Sequence, residues 1–246
     1  FTSFTPDILI TVDNGISSHD GVKQAQDHGM QVIITDHHLT TKPTPSAQAV
    51  VNPNQLGCDF PSKALAGVGV AFYVLANLST YRKKLNKSSA IMSQYLDLVA
   101  LGTYADVASL DYNNRILVDV GLKRIQQHLC RPGISALLEI AGREAITLKA
   151  QDLGFVLGPR INAAGRMETM DIGIECLLAQ DFASAYPLAE QLNQLNVERR
   201  QVEATMKQEA LIALDQIQLD DTVLPAALIM FEPHWHQGVI GIVAGR

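Results

Sequence analysis

The chain has 246 residues, of which 47% are hydrophobic, and its formal net charge is −6. This length and composition support one large domain, or one domain and part of another, and no apolar stretch is long enough to span a membrane. The three cysteines lie far apart without a CxxC pair, which excludes a disulfide framework or a cysteine zinc site and indicates a reduced, cytoplasmic protein.

The N-terminal part of the chain has the pattern of an α/β fold. Apolar runs predict strands at 8–12 and 31–35, and a helical pattern over 18–29 lies between them. A strand–helix–strand order of this kind implies a parallel sheet flanked by helices. The loop that follows, 39–63, contains four prolines and a short strand near 49–51.

The remainder of the chain is predicted to be mostly helical. Residues 181–218 have the pattern of two helices or one bent helix, and their charged side is typical of a helix that connects two domains. The apolar run Ala226–Met230 predicts a new strand, and with it the start of a second α/β domain. The other helical patterns cover residues 66–82, 88–103, 113–128, 132–141 and 150–157.

Acidic residues and histidines stand at the ends of several predicted elements. Asp13 follows the first strand, and Asp36, His37 and His38 follow the second. In open α/β sheets, ligands bind at the carboxyl ends of the strands. Asp106 follows an apolar helical run that we expect to break at the preceding glycine, which would leave the carboxylate in a buried turn. One aspartate at a strand end is usually a turn residue, but this combination favours a divalent-metal site.

The charges are unevenly distributed along the chain. Residues 82–166 carry 12 basic and 7 acidic side chains, whereas residues 167–246 carry 4 basic and 12 acidic ones. The acidic total argues against a nucleic-acid-binding protein, but a basic middle third favours one, because the local field near a site matters more than the net charge. The alternative is that these are ordinary solvated charges on helix surfaces.

A glycine-rich segment at 158–167 contains Arg160 and Arg166. Guanidinium groups bind phosphate through two parallel hydrogen bonds, and glycines let a nucleic-acid backbone come close. The alternative is a tight helix–helix turn with two surface arginines. Further along, the segment 235–238 precedes an apolar helix, and there Trp235 either stacks on a base or anchors the core of the second domain.

Five segments together resemble the DHH phosphoesterase superfamily and, within it, the RecJ nucleases. The first three look like the second, third and fourth motifs of the superfamily. The last two are similar to segments of RecJ nucleases, which are single-strand-specific 5′→3′ DNA exonucleases. The segments, in chain order, are Thr11–Gly15, Thr35–His38, Gly102–Val107, Gly158–Met167 and Trp235–Ala244.

The resemblance implies a domain organisation. Residues 1–187 would form a DHH phosphoesterase domain that is mostly helical from residue 64, and 188–219 a connecting helix. Residues 220–246 would begin a DHHA1-like substrate-binding domain, with the active site in the cleft between the two domains. The first motif of the family, an aspartate-rich strand end that supplies further metal ligands, is not found. We therefore expect an internal fragment of a longer protein, truncated at both ends and inactive by itself.

The resemblance also implies a two-metal phosphodiester hydrolase that uses Mn²⁺ or Mg²⁺. Asp13 would bridge both ions, and His37 and Asp106 would bind one of them. Asp36 would orient a neighbouring group, and His38 would contact the scissile phosphate. These five residues are the predicted catalytic residues.

The implied substrate is single-stranded DNA, hydrolysed from the 5′ end in DNA repair and recombination. By family resemblance, a single-strand-binding protein and a helicase are expected partners, and no membrane is involved. Two alternatives remain, namely a DHH phosphoesterase that acts on short oligonucleotides or cyclic dinucleotides, and a non-catalytic relative. The predicted nucleic-acid-binding residues are Arg160, Asn162, Arg166, Trp235, His236 and Gln237.

Overall fold

The computed structural model describes residues 6–215 and 227–245. Their contacts divide the chain into two units. The first unit comprises the described part of Phe1–Cys130 together with Glu144–Gly158. The second comprises Arg131–Arg143 and the described part of Pro159–Arg246. No helix in these described ranges is both long and apolar enough to cross a membrane.

The first unit contains a parallel sheet of three strands, which confirms the predicted fold class. The strands are β1 (Ile8–Val12), β2 (Gln31–Thr35) and β3 (Ala49–Val51), in the order β1-β2-β3. Thr35, the last residue of β2, is in register with Val12 on one side and Val51 on the other. The carboxyl ends of all three strands therefore lie at one edge of the sheet.

The central strand β2 is fixed by the helix that precedes it. Its side chains Val32 and Ile34 are fully buried and pack with Val22 and Ala25 of helix α1 (His19–Asp27). Alternating burial of this kind sets the register of a strand, because a shift by one residue would expose its apolar face. The short turn between α1 and β2 uses a glycine with a φ of +82°, which glycine adopts without steric cost.

Helices make up the rest of the first unit, and one prediction about them was wrong. Helix α3 does not break at Gly102 but continues to Ala105. A side chain at Gly102 would meet Val68 at 2.7 Å, so this glycine permits close helix packing. Asp106 is therefore a partly exposed residue at the end of a helix. The helices are α2 (Gly67–Lys84), α3 (Leu96–Ala105), α4 (Tyr112–Gln126) and the short α6 (Ala150–Asp152), with 3₁₀ turns at Met92–Tyr95 and Ala145–Thr147 and a π-helical turn at Leu153–Leu157.

The second unit is built around one long helix. Helix α9 runs without interruption from Phe182 to Asp215 and includes Pro187 near its start. The other helices α5, α8 and α10 pack on α9, so in the described residues it is the central element of a bundle. The predicted domain limits at 187 and 220 remain a prediction. The surrounding helices are α5 (Pro132–Ile140), α7 (Gly158–Met167), α8 (Asp171–Leu178) and α10 (Gln237–Ala244).

Two expectations about secondary structure were wrong in the second unit. The glycine-rich segment 158–167 is an α-helix, so the alternative of a tight helix–helix turn does not hold. Its proline lies just after the π-helical turn Leu153–Leu157, and its two central alanines are fully buried. The predicted strand at Ala226–Met230 is absent from residues 227–230, while Ala226 lies outside the described residues. Strands need a partner strand, and the described part of this unit contains none.

Candidate metal centre

The first component of the site is Asp13, at the end of β1. Its backbone has a φ of +64°, a conformation that is uncommon for residues other than glycine and that turns the chain sharply. Its amide donates to the carbonyl oxygen of Thr35 at 3.0 Å, which ties the end of β1 to the end of β2. The side chain is 60% exposed. Asp13 is therefore held by its backbone while its carboxylate stays accessible.

Asp36 organises the loop that follows β2. It is 1% exposed, and its Oδ1 atom accepts hydrogen bonds from the amides of His37 (2.7 Å) and His38 (3.0 Å) and from Nδ1 of His38 (2.7 Å). Its Oδ2 atom accepts from the amide of Ile16 at 2.8 Å. Burial alone would raise the pKa of Asp36, but these hydrogen bonds outweigh it, so the pKa lies below its usual value.

His37 projects between two carboxylates. Its Nε2 atom lies 3.0 Å from Oδ1 of Asp13 and 3.8 Å from Oδ2 of Asp106. This nitrogen is buried, and within the described residues it has no hydrogen-bond partner despite its short contact to Asp13. An unsatisfied imidazole nitrogen beside two carboxylates is the arrangement that a divalent cation would complete.

Asp106 supplies the second carboxylate from the end of α3. Burial raises its pKa, and so does the charge of Asp13, whereas His37 and His38 lower it. Asp13, His37 and Asp106 thus lie together, as their positions at element ends predicted. Asp13, His37 and His38 form a second possible group, whose ligating atoms all lie within 4.8 Å of one another. Either set could hold a divalent cation through oxygen and imidazole ligands.

His38 is held differently from His37. Its Nδ1 atom contacts Asp36, and the two imidazole rings lie with their centroids 4.4 Å apart. The hydrogen bond to Asp36 raises the pKa of His38, burial lowers it, and the nearby carboxylates raise it further. With Nδ1 donating to Asp36, the second ring nitrogen of this largely exposed side chain is left for a ligand.

Two asparagines that the sequence analysis missed fix the histidine loop from the third strand. The Nδ2 atom of Asn52, which is 1% exposed, donates to the carbonyl of His38 at 3.0 Å. The Nδ2 atom of Asn54 donates to the carbonyl of His37 at 2.6 Å, and its amide donates to Oδ1 of Asn52 at 2.8 Å. The signal was the polar Val51-Asn52-Pro53-Asn54 segment, which follows β3 just as the acidic motifs follow β1 and β2.

Several of the predicted nucleic-acid-binding residues meet within the second unit. Arg166 of α7 is exposed, and its Nη1 atom donates to the carbonyl of Gly238 at 3.1 Å. Gly238 also donates its amide to Nδ1 of His236 at 3.1 Å, which caps α10. Asn162 and Gln237 are exposed on α7 and α10 respectively. The ends of α7 and α10 therefore form one polar surface.

Arg160 and Trp235 both form hydrogen bonds to helix α9. Arg160 is half-buried, and its Nε atom donates to Oδ1 of Asn193 on α9 at 3.0 Å. Burial lowers the pKa of this guanidinium, and the charges of Arg200 and Arg143 lower it further. Trp235 donates its indole N–H to Oε2 of Glu209 at 2.8 Å, which attaches it to α9. Their contacts to nucleic acid remain a prediction.

Comparison with known proteins identifies relatives of nearly the whole chain. The N-terminal domain of the DHH family matches residues 1–103. The single-stranded-DNA-specific exonuclease RecJ of Dickeya dadantii is 50% identical over 98% of this chain and 43% of that protein. RecJ of Escherichia coli K12 is 49% identical over 97% of this chain and 42% of that protein. The chain therefore spans less than half the length of these curated relatives.

Solved structures agree with the sequence comparison. The crystal structure of exonuclease RecJ bound to manganese matches with a TM-score of 0.81 and 36% identity, over 97% of this chain and 57% of that one. RecJ from Thermus thermophilus in complex with Mg²⁺ matches with a TM-score of 0.71 and 34% identity, over 97% of this chain and 32% of that one. The chain is thus similar over nearly its whole length to RecJ proteins, and its residues 1–103 match the N-terminal domain of the DHH family.

Proposed function

We propose that the complete protein is a metal-dependent exonuclease that hydrolyses single-stranded DNA from its 5′ end in DNA repair and recombination. The observation that carries this proposal is the buried, unsatisfied Nε2 of His37, which lies between the carboxylates of Asp13 and Asp106. The similarity to single-stranded-DNA-specific exonucleases supports the substrate, whereas the 5′→3′ direction rests on the family resemblance of the five sequence segments. Cytoplasmic location is part of the same proposal and is supported by the three cysteines, which form no disulfide.

Asp13, His37 and Asp106 are the residues that would hold a Mn²⁺ or Mg²⁺ ion, and by the family resemblance Asp13 would also bind a second one. Both metals occur in the matching RecJ structures. When bound, the ions supply positive charge for the phosphate and make water more acidic. The carboxylates offset that positive charge, and the carboxylate of Asp106, whose pKa is raised, would be stabilised in its ionised form by a nearby cation.

Asp36 and His38 would act on the substrate as a pair. Asp36 accepts from Nδ1 of His38 and from the backbone amides of His37 and His38. This holds the imidazole in one orientation and one tautomer. The second ring nitrogen of His38 is then available to contact a phosphate oxygen of the scissile bond. The role of Asp36 is therefore to orient, and that of His38 is to bind.

The polar surface formed by α7 and α10 is the proposed DNA contact of the second unit. Arg166, Asn162 and Gln237 are exposed there, and the amino end of α10 favours an anion. Arg160 and Trp235 would contribute from beside it. A single-strand-binding protein and a helicase as partners rest on the family resemblance alone.

Digestion of labelled DNA by the purified complete protein tests the proposal. The substrates are a long single strand labelled at its 5′ or 3′ end, the matching duplex and a dinucleotide, each with Mn²⁺, with Mg²⁺ or with EDTA. We expect release of the 5′ label from the single strand only, and only with metal. Preference for the dinucleotide would instead support a short-oligonucleotide phosphodiesterase.

Substitutions connect this activity to the site. Asp13→Ala and His37→Ala should abolish hydrolysis and leave the fold intact, because both side chains lie at the sheet edge and neither belongs to a hydrophobic core cluster of the described residues. Asp27→Ala removes an exposed carboxylate from the same unit and should retain full activity. Unchanged digestion by either site variant, or equal loss in Asp27→Ala, would contradict the assignment.

A further inference from the structure

Helix α2 begins directly against the carboxylate of Asp13. Its first residue is Gly67, and a Cβ atom placed on that residue would lie 2.1 Å from Oδ1, 2.6 Å from Cγ and 2.7 Å from Cβ of Asp13. Real Cβ contacts essentially never fall below 3.0 Å. Any side chain at position 67 would therefore occupy the space that the Asp13 carboxylate now fills.

Asp13 has little freedom to move away from such a side chain. Its φ of +64° and the bond from its amide to Thr35 fix the backbone. Its carboxylate lies 3.0 Å from Nε2 of His37, so rotation away from Gly67 would also change this distance. A residue with a left-handed backbone and a close side-chain neighbour is held by its surroundings.

Helix α2 is also unable to withdraw. Val68 packs into the space left by Gly102 on α3, where a Cβ would lie 2.7 Å from its side chain, and Val70 is buried in the core of the unit. The first turn of α2 contains no acidic residue, and Ala66 provides no side-chain cap. The carboxylate of Asp13 thus lies at the positive end of the helix, where a negative charge is favoured.

We infer that Gly67 is a positioning residue for the metal centre: the absence of its side chain lets α2 hold the Asp13 carboxylate in place beside His37. The inference rests on the proposed function, in which Asp13 is a metal ligand. Gly67 itself touches neither metal nor substrate. No other residue type fits at this position without displacing the carboxylate.

The test compares Gly67→Ala with Gly69→Ala in the complete protein. Gly69 lies in the same helix and is also buried, but a Cβ there would meet only the flexible end of Leu65, at 2.9 Å. Titration with Mn²⁺ alone, followed by electron paramagnetic resonance, should show affinity weakened about tenfold or more in Gly67→Ala, the scale typical for residues that orient ligands. Gly69→Ala should bind like the wild type.

A measurement without metal tests whether a side chain at position 67 collides with Asp13. Thermal unfolding in EDTA is measured for Gly67→Ala, for Asp13→Gly and for the double variant. Gly67→Ala should lower Tm by about 3 °C or more, the scale of an overpacked site. In the Asp13→Gly background it should lower Tm far less, because the atoms that it displaces are gone.

Each outcome decides the inference. Equal Tm losses in the two backgrounds, or wild-type Mn²⁺ affinity in Gly67→Ala, would overturn it. If Gly67→Ala does not fold, the double variant should fold, and failure of the double variant would overturn the inference as well. If the wild type binds no Mn²⁺, the proposed function fails, while the coupling of the two substitutions in EDTA still tests the positioning role.

Discussion

Replacement of Asp36 by asparagine tests how the histidine loop is held. Asparagine has the same shape but loses the charge and one acceptor. With its oxygen in the place of Oδ1, it keeps three hydrogen bonds, but its NH₂ group then faces the amide of Ile16, which now donates to Oδ2 at 2.8 Å. The reverse orientation would lose the two bonds that the amides of His37 and His38 donate to Oδ1.

The size of the effect follows from the burial of this side chain. At 1% exposure, water cannot replace the lost partner of Ile16. A hydrogen bond to a charged group contributes about 1.5–3 kcal/mol, and a buried donor left unsatisfied costs about 1–3 kcal/mol. Because the two effects overlap, we expect Asp36→Asn to destabilise the loop by about 2–4 kcal/mol. The loss is present without any metal.

Hydrogen exchange measured by mass spectrometry is the suitable assay. In EDTA, peptides that contain Ile16, His37 and His38 should exchange faster in Asp36→Asn, by a factor of about 30 to 1,000, since 1.4 kcal/mol corresponds to tenfold. Asp20→Asn, an exposed carboxylate on α1, is the matched control and should leave these peptides unchanged. Protection within about twofold of the wild type would refute the idea that Asp36 organises the loop.

Three further predictions concern the second unit. Arg160→Ala and Arg166→Ala in the complete protein should each weaken single-strand binding by about 1–3 kcal/mol and flatten its salt dependence; unchanged affinity and slope would make both arginines structural. The hydrogen bond from the indole of Trp235 lowers the pKa of Glu209. This hydrogen bond therefore contributes its full stability at pH values above the usual glutamate pKa, and the contribution is lost as the pH falls through the lowered pKa of Glu209. In a pH titration, the fluorescence of Trp235 should therefore change only at pH values below the usual glutamate pKa. Glu209→Gln should abolish that transition. Burial raises the pKa of Cys176 to about 11, so one of the three thiols should react with a disulfide reagent at pH 8 only after unfolding.

The sheet and its acidic edge were predictable because their causes are local. The alternation of apolar residues in β2 and the placement of Asp13 and Asp36 directly after strands are visible in the sequence. Parallel strands that end together bring such residues to one edge. That geometry required no knowledge of the helices, so the convergence of Asp13 with His37 could be anticipated from the chain alone.

One error arose where a glycine serves a contact between distant parts of the chain. Gly102 suggested a helix break, but it lies within helix α3. Glycine lowers helix propensity, and packing against another element overrides that preference when a side chain would collide. Gly121, for example, lies where a Cβ would be 2.1 Å from the carbonyl oxygen of Leu96. Such approaches depend on the assembled fold and leave no local pattern.

The asparagine contacts from β3 have a consequence for the loop between β2 and β3. Asn52 and Asn54, which follow β3, donate hydrogen bonds to the backbone carbonyls of His38 and His37. These bonds hold the histidines independently of the residues in the middle of the loop. Residues 41–43 form an exposed tip of that loop. The tip is therefore a suitable insertion point. An epitope tag or a fluorophore-labelling peptide placed there should leave the metal centre undisturbed.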